Sequence, residues 1–340
     1  MSKSVSIIGA GIAGLSVGCY LQMNGYQTQI FEMHDKAGGL CTAWQRKGYN
    51  VDGCLQWLWG SSPNHEAYKF WEELGAIQGK QIINLEELMR IETLDGKSFS
   101  LYTNADRLEQ EMKNLDPEDS EFIHDFAEAI RRFASLRMPV DKNPELYTAV
   151  DYLKMSKFAF TMRSFNRWKI TISEFAQQFK NPGMRSFWQQ VWEPNMSVLN
   201  MIMQLASTHN KSSGYPIGGS LPIVQSIEKR YANLGGKINF KDRINKIIVE
   251  NNRSVGLRLA NGSEVKSDCV ISAADGHETI FEMLEGKFFD DKVQEYYSQF
   301  PVFTPLVYVG LGVNRSFEDT PKIISGIKFE LQKSIKIGDS

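Results

Sequence analysis

Between residues 9 and 14 the chain reads Gly9-Ala10-Gly11-Ile12-Ala13-Gly14, and this G-x-G-x-x-G spacing limits the fold more than any other feature. Residues 5–8 before it form a short β-branched run, residues 15–24 after it read as a helix stopped by Gly25, and residues 27–32 read as the next strand. That order is a βαβ unit. The first glycine permits a tight turn, the second lets a pyrophosphate reach the backbone, and the third lets helix and strand pack closely. Free N–H groups at the helix start then face phosphate. Glycines alone can mark an ordinary packed turn, so the context decides. Glu32 ends the second strand, where a carboxylate accepts hydrogen bonds from ribose hydroxyls. Glu32 suits NAD and FAD equally. The pair Gly38-Gly39 gives backbone access to a diphosphate running on in extended form, as the longer FAD requires.

The same segment imitates a secretory leader, because Lys3 precedes an apolar run from 5 to 21. The three glycines interrupt that run in a nucleotide-binding pattern, which favours strand and helix. No other apolar stretch approaches the roughly 18–20 residues a membrane span needs. With 340 residues, 42% hydrophobic and 23% charged, the chain has material for two cores. A net charge of −2 gives no general attraction to polyanions, so nucleic acid is not an expected partner. The four cysteines, Cys19, Cys41, Cys54 and Cys269, include no C-x-x-C pair and fit neither a zinc site nor a disulfide scaffold. A reducing cytoplasm is the expected compartment.

Further along, Asp95-Gly96 separates the alternating runs 88–94 and 98–102 and predicts a hairpin. Phe122, Phe126, Ile130 and Phe133 recur about once per turn behind a Ser120 cap and predict a core-facing helix. Strand character returns in 237–240, 244–250, 254–260 and 264–273, with Asn261-Gly262 as a tight turn. The expected fold is therefore α/β: a discontinuous Rossmann-like domain over 1–62 and 214–275, with an inserted α+β substrate domain over 63–213 and 276–340.

At these residues the chain resembles FAD-dependent oxidoreductases of the phytoene desaturase, carotenoid isomerase and retinol saturase type, more distantly related to flavin amine oxidases. The resemblance rests on Gly9 to Leu15, Glu32, Gly38-Gly39-Leu40-Cys41-Thr42, Gly48-Tyr49-Asn50-Val51-Asp52-Gly53, Tyr215-Pro216-Ile217-Gly218-Gly219, the strand at Ile244, and Ile271-Ser272-Ala273-Ala274-Asp275. It implies an FAD enzyme whose N–H groups at Ile12, Ala13 and Gly14 hold the pyrophosphate, with Gly9 and Gly11 shaping the turn. It also implies that Glu32 holds the adenosine ribose and that Gly38, Gly39 and Leu40 line the flavin side. Ile244 would face adenine through its backbone, and Ala273, Ala274 and Asp275 would close the strand over the nucleotide. Leu40 stands where such proteins often carry Arg. They also end in a glycine-rich turn and helix near the flavin, which residues 281–340 do not supply, so a longer protein is expected.

The implied reaction is desaturation, saturation or isomerisation at C–C bonds of a small lipophilic polyene, by hydride transfer at flavin N5. Two alternatives stay open: an amine-oxidase-like enzyme, and a non-catalytic flavin-binding protein. No side chain is assigned a catalytic role and no metal-ligand cluster is seen. Trp57 and Trp59 either wall an apolar channel or pack a domain junction. His65 reads as a solvated histidine at a helix start. From 147 to 175, Lys154, Lys157, Arg163, Arg167 and Lys169 interleave with Phe158, Phe160, Phe165 and Trp168 against Asp151 and Glu174. Such a stretch either lies peripherally at a membrane surface or turns its apolar faces inward.

Overall fold

A parallel sheet grows outward from the strand that precedes the glycine loop. The computed structural model describes residues 3–41, 43–93, 96–137, 144–300, 309–316 and 326–329. Strand β1 (Ser4–Ile8) buries Val5, Ile7 and Ile8, and helix α1 (Ile12–Met23) returns the chain to β2 (Gln27–Glu32). β2 pairs parallel to β1 with Ile8 opposite Phe31. The sheet is completed by β10 (Lys237–Phe240) beside β2 and by β14 (Cys269–Ser272) beside β1, in the order β10-β2-β1-β14. Every pairing in it is parallel; Ile7 and Ile30 on its two inner strands are fully buried, while Gln27 and Gln29 on β2 and Lys237 on β10 stay exposed.

Helix α9 (Leu221–Asn233) packs against α1. The approach depends on Gly18, where a Cβ would lie 2.7 Å from Tyr231 Cε2. Tyr231 is fully buried, and its hydroxyl meets Thr28 Oγ1 at 2.8 Å. Strands β11 (Ile244–Glu250), β12 (Arg253–Leu259) and β13 (Glu264–Lys266) form an antiparallel meander. Asn261-Gly262 turns between the last two, with Gly262 at φ 87°. The predicted strand 264–273 is thus two strands. Its first part pairs antiparallel with β12 and its last part parallel with β1.

By its contacts the chain divides into two units: Met1–Leu55, Phe70–Gly79 and Gly218–Asn314 in the first, and Gln56–Lys69, Lys80–Ile217 and Arg315–Ser340 in the second. Four segments fall differently from the sequence-based boundaries: 56–62 and 214–217 lie in the second unit, and 70–79 and 276–314 lie in the first. Residues 276–314 join the first unit because Met283 packs into the cluster of Ile8, Phe31, Ile247 and Leu257, and Arg243 pairs with Glu278 at 3.1 Å. Residues 70–79 join it through Tyr20 Oη donating to Glu73 at 2.6 Å and Arg230 Nε donating to the Glu73 carbonyl at 3.2 Å. The boundary falls inside helix α2 (Tyr68–Glu73). The first unit also holds the hairpin of β3 (Ala43–Arg46) and β4 (Tyr49–Asp52) and helix α10 (Asp291–Gln299).

In the second unit β9 (Ser213–Pro216) lies between β5 (Leu58–Trp59) and β6 (Ile82–Ile83), and β7 (Glu87–Glu92) lies between β8 (Ser98–Tyr102) and β15 (Ile327–Phe329). β7 and β8 are the hairpin predicted around Asp95-Gly96, although residues 94–95 lie outside the described residues. Helices α3 (Ala105–Leu115), α4 (Ser120–Ala134), α6 (Ile172–Gln177), α7 (Pro182–Val191) and α8 (Val198–His209) surround an aromatic core. Phe126, Phe175 and Trp188 meet there with ring centroids 4.9–5.4 Å apart, and each such side chain contributes roughly 1.5–3 kcal/mol on burial. The α4 cap position is Asp119, one residue before Ser120, whose hydroxyl instead donates to the Pro117 carbonyl at 2.6 Å.

The basic aromatic stretch divides. Phe165, Trp168 and Phe175 enter the core, and Arg167 pairs with Asp125 at 2.9 Å. Helix α5 (Ala149–Arg163), started by the reciprocal Thr148 and Asp151 capping bonds, has no buried residue and exposes Val150, Tyr152, Leu153 and Phe160. No helix among the described residues is long and apolar enough to cross a membrane.

Candidate dinucleotide-binding site

The three glycines of the loop each answer a separate constraint. Gly9 holds φ 94° and donates its N–H to the Phe31 carbonyl at 2.8 Å, while a Cβ on it would stand 3.2 Å from the Ala273 carbonyl oxygen. Gly14 lets α1 close on the loop, because a Cβ there would fall 2.0 Å from the Gly9 oxygen. Gly11 is the N-cap of α1 and has no side chain to cap with. The first turn of α1 carries no acid either. The N–H groups of Ile12, Ala13 and Gly14 therefore point from an uncapped helix end toward any anion there. A Cβ on Gly11 would meet nothing closer than Gly39 Cα at 4.0 Å, so space remains over the loop.

The second glycine pair abuts the first loop. Gly38 forms a parallel bridge with Gly11 and donates its N–H to the Ala10 carbonyl at 2.9 Å. Gly38 and Gly39 hold φ 128° and 56°, and a Cβ on Gly39 would stand 3.3 Å from Gly11 Cα. Two stretches of bare backbone thus lie side by side, a cradle that suits a diphosphate. Leu40, next in sequence, is 92% exposed.

Glu32 stands at the end of β2, only 5% exposed. Its Oε2 accepts the Ala10 N–H at 2.7 Å and its Oε1 accepts the His34 N–H at 2.9 Å. The carboxylate therefore shapes the glycine loop itself, a role sequence reasoning did not foresee. Two acceptors with about four lone-pair positions still leave capacity for ribose hydroxyls. Ile244 begins β11, buried among Ile8, Phe31 and Leu257. Ala273 donates its N–H to the Ile8 carbonyl at 2.9 Å, and exposed Ala274 follows it.

The glycines 218 and 219, at φ 93° and 75°, lead into α9. There the hydroxyl of Ser220 donates to Asp52 Oδ2 at 2.7 Å, and the Cys54 N–H donates to Asp52 Oδ1 at 3.0 Å. Burial pushes the Asp52 carboxyl up, but the bonds from Ser220 and Cys54 outweigh it and hold the group below the usual carboxylate range. The hairpin is thereby fastened to the start of α9.

Trp57 and Trp59 take different roles. Trp57 packs beside the aromatic core with Trp192, ring centroids 6.5 Å apart. Trp59 lines a half-open cavity of about 390 Å³ within the second unit, with His65, Phe133, Leu136 and Met203. His65 lies edge-on to Trp59 at 4.5 Å, and its Nδ1 accepts the Ala67 N–H at 3.1 Å, so it is partly enclosed rather than solvated. Burial pushes its imidazole down, against a smaller upward pull from Glu66. No cluster of metal-ligating side chains occurs among the described residues.

The family profile of the NAD(P)-binding Rossmann-like domain matches residues 7–74. The chloroplastic prolycopene isomerase of Daucus carota is 25% identical over 291 residues, covering 82% of this chain and 47% of that protein. The lycopene-forming phytoene desaturase of Pantoea ananas is 24% identical over 294 residues, covering 83% of this chain and 58% of that protein. The chain spans about half the length of the curated relatives it matches. A crystal structure of a Pyrococcus furiosus protein superposes with a TM-score of 0.59 at 18% identity, over 88% of this chain and 66% of that one. This likeness shows the fold: an α/β chain with a Rossmann-like domain.

Proposed function

We propose that this chain binds FAD at the β1–α1 loop and serves an oxidoreductase that desaturates, saturates or isomerises C–C bonds of a lipophilic polyene. The observation that carries the reading is the uncapped start of α1 laid against Gly38-Gly39. The N–H groups of Ile12, Ala13 and Gly14 bind phosphate oxygens there. Glu32 holds Ala10 in place and turns its remaining lone pairs to the adenosine ribose. Gly38 and Gly39 let the diphosphate run on without a side chain in its path. The flavin, when bound, supplies hydride transfer at N5. The chain's own part is to orient its partners and to keep water from them. Similarity to proteins named for phytoene desaturation and prolycopene isomerisation supports a polyene over an amine. The cavity beside Trp59 offers an apolar wall to such a molecule.

Helix α5 supports a second element of this reading, peripheral contact with an anionic membrane that stores the substrate. Its exposed Leu153 and Phe160 accompany Lys154, Lys157 and Arg163. Sedimentation with phosphatidylglycerol vesicles should capture the protein, and salt or Leu153→Ser with Phe160→Ser should release it. Equal capture of wild type and the double variant would remove α5 from the account.

The cofactor is tested by titrating apoprotein separately with FAD and with NAD, followed by flavin and protein fluorescence. FAD should bind and remain through gel filtration. Binding of NAD alone would assign the loop to a nicotinamide dinucleotide and overturn the flavin reading. With FAD bound, conversion of phytoene or prolycopene, read by chromatography against a panel of amines, tests the substrate class.

A further inference from the structure

Cys41 and Cys54 are separated by the whole β3–β4 hairpin, yet their sulfurs stand 3.2 Å apart. The hairpin register accounts for the approach. Arg46 pairs with Tyr49, Gln45 with Asn50, Trp44 with Val51 and Ala43 with Asp52. Carried two residues further on each side, the same register sets Cys41 opposite Cys54. Directly opposed cross-strand positions have Cβ atoms about 4.5–5.5 Å apart, close to the span a disulfide bridges. Both flanks are fixed: Cys41 donates its N–H to the Gly38 carbonyl at 3.0 Å, and Cys54 donates its N–H to Asp52 Oδ1 at 3.0 Å. Both thiols are free and half-buried.

We propose that Cys41 and Cys54 form a redox-active thiol pair that hydrogen peroxide closes to a disulfide, tying the Gly38-Gly39 turn to the end of β4. Burial, then the hydrogen bond to Cys54, push the Cys41 thiol up to about 12. Cys54 is assigned as the attacking sulfur and Cys41 as the sulfur that resolves it. The Cys54 sulfur attacks one peroxide oxygen as its thiol proton leaves, the O–O bond breaks, and the departing hydroxide takes up that proton to become water. The sulfur of Cys41 then attacks the Cys54 sulfenic acid. The S–S bond forms, the S–O bond breaks, and the second water leaves with the Cys41 proton. Two thiols lose two electrons and one peroxide gains them.

The inference does not depend on which dinucleotide the loop binds. Its test is peroxide treatment of the Cys269→Ser chain, which removes the exposed thiol, followed by alkylation under denaturing conditions and peptide mass spectrometry. The expected product is a peptide joining Cys41 to Cys54, restored to two alkylated thiols by dithiothreitol. The melting temperature should rise by roughly 5–10 °C in the oxidised form. Cys41→Ser should stop at a sulfenic acid on Cys54 that dimedone traps, and circular dichroism checks that this variant folds. The proposal is overturned if peroxide leaves both cysteines fully alkylatable while it oxidises Cys269 in the unsubstituted chain. It is equally overturned if the joined peptide links Cys19 instead.

Discussion

Removing the Glu32 carboxylate strands two backbone N–H groups, and they are not equivalent. Ala10 is completely buried, so its N–H, bonded at 2.7 Å, finds no ready replacement for a charged acceptor, and the loss is worth about 1.5–3 kcal/mol. His34 is exposed, and water recovers most of its bond at 2.9 Å. Glu32→Ala should therefore destabilise the first unit by about 2–4 kcal/mol, chiefly through Ala10. For a cooperative unit of this size each kcal/mol moves the melting temperature by roughly 2–4 °C, so a fall of about 4–16 °C is expected without any ligand. Glu32→Gln keeps an oxygen for Ala10 but turns a neutral amide toward His34, and should lose about half as much. Glu72→Ala, at an exposed side chain, is the control and should melt like wild type. Thermal unfolding by circular dichroism reads all four proteins. FAD titration then separates loop from ribose: if Glu32→Gln binds FAD about tenfold more weakly despite its milder melting loss, the carboxylate also touches the nucleotide. Equal melting temperatures for wild type and Glu32→Ala would refute the loop-holding role and the reasoning built on it.

Gly14→Ala should leave little folded protein, because its Cβ would meet the Gly9 carbonyl, a backbone atom that cannot swing away; a soluble variant with wild-type melting would contradict this. Gly18→Ala meets the side chain of Tyr231 instead and should cost about 1–3 kcal/mol, read by urea denaturation. In the second unit, burial raises the Glu109 carboxyl, yet Lys113, His124 and Arg131 outweigh it and hold the group at about 2, against an ordinary 4.5. Because the folded value is the lower one, the stabilisation is complete above pH 4.5 and is lost as the pH falls through that range toward 2. Acid unfolding should show wild type ahead of Glu109→Gln near neutrality and the two converging near pH 2; parallel curves would disprove the linkage.

Local rules carried much of the architecture. The glycine spacing, β-branched runs and Gly25 stop made the βαβ unit legible, since turn chemistry and side-chain period act over a few residues. Residues 27–32, 237–240 and 244–250 form strands with the predicted bounds. The Asn261-Gly262 turn was readable because only a few residue types accept its left-handed backbone. What no local pattern carries is the partner of a side chain. The expected strand over 264–273 divides because its two halves pair with strands far apart in sequence, β12 and β1. Gly18 is a glycine because Tyr231 lies against it, which shows only after α9 has packed on α1. Cys41 and Cys54 match no cysteine motif, and only the hairpin register sets them opposite each other. The sequence by itself determined that Glu32 would end a strand beside a glycine loop. The tertiary structure decided that its carboxylate would first serve that loop, because the Ala10 N–H, buried as the sheet closes, must be satisfied by whatever acceptor the fold brings to it.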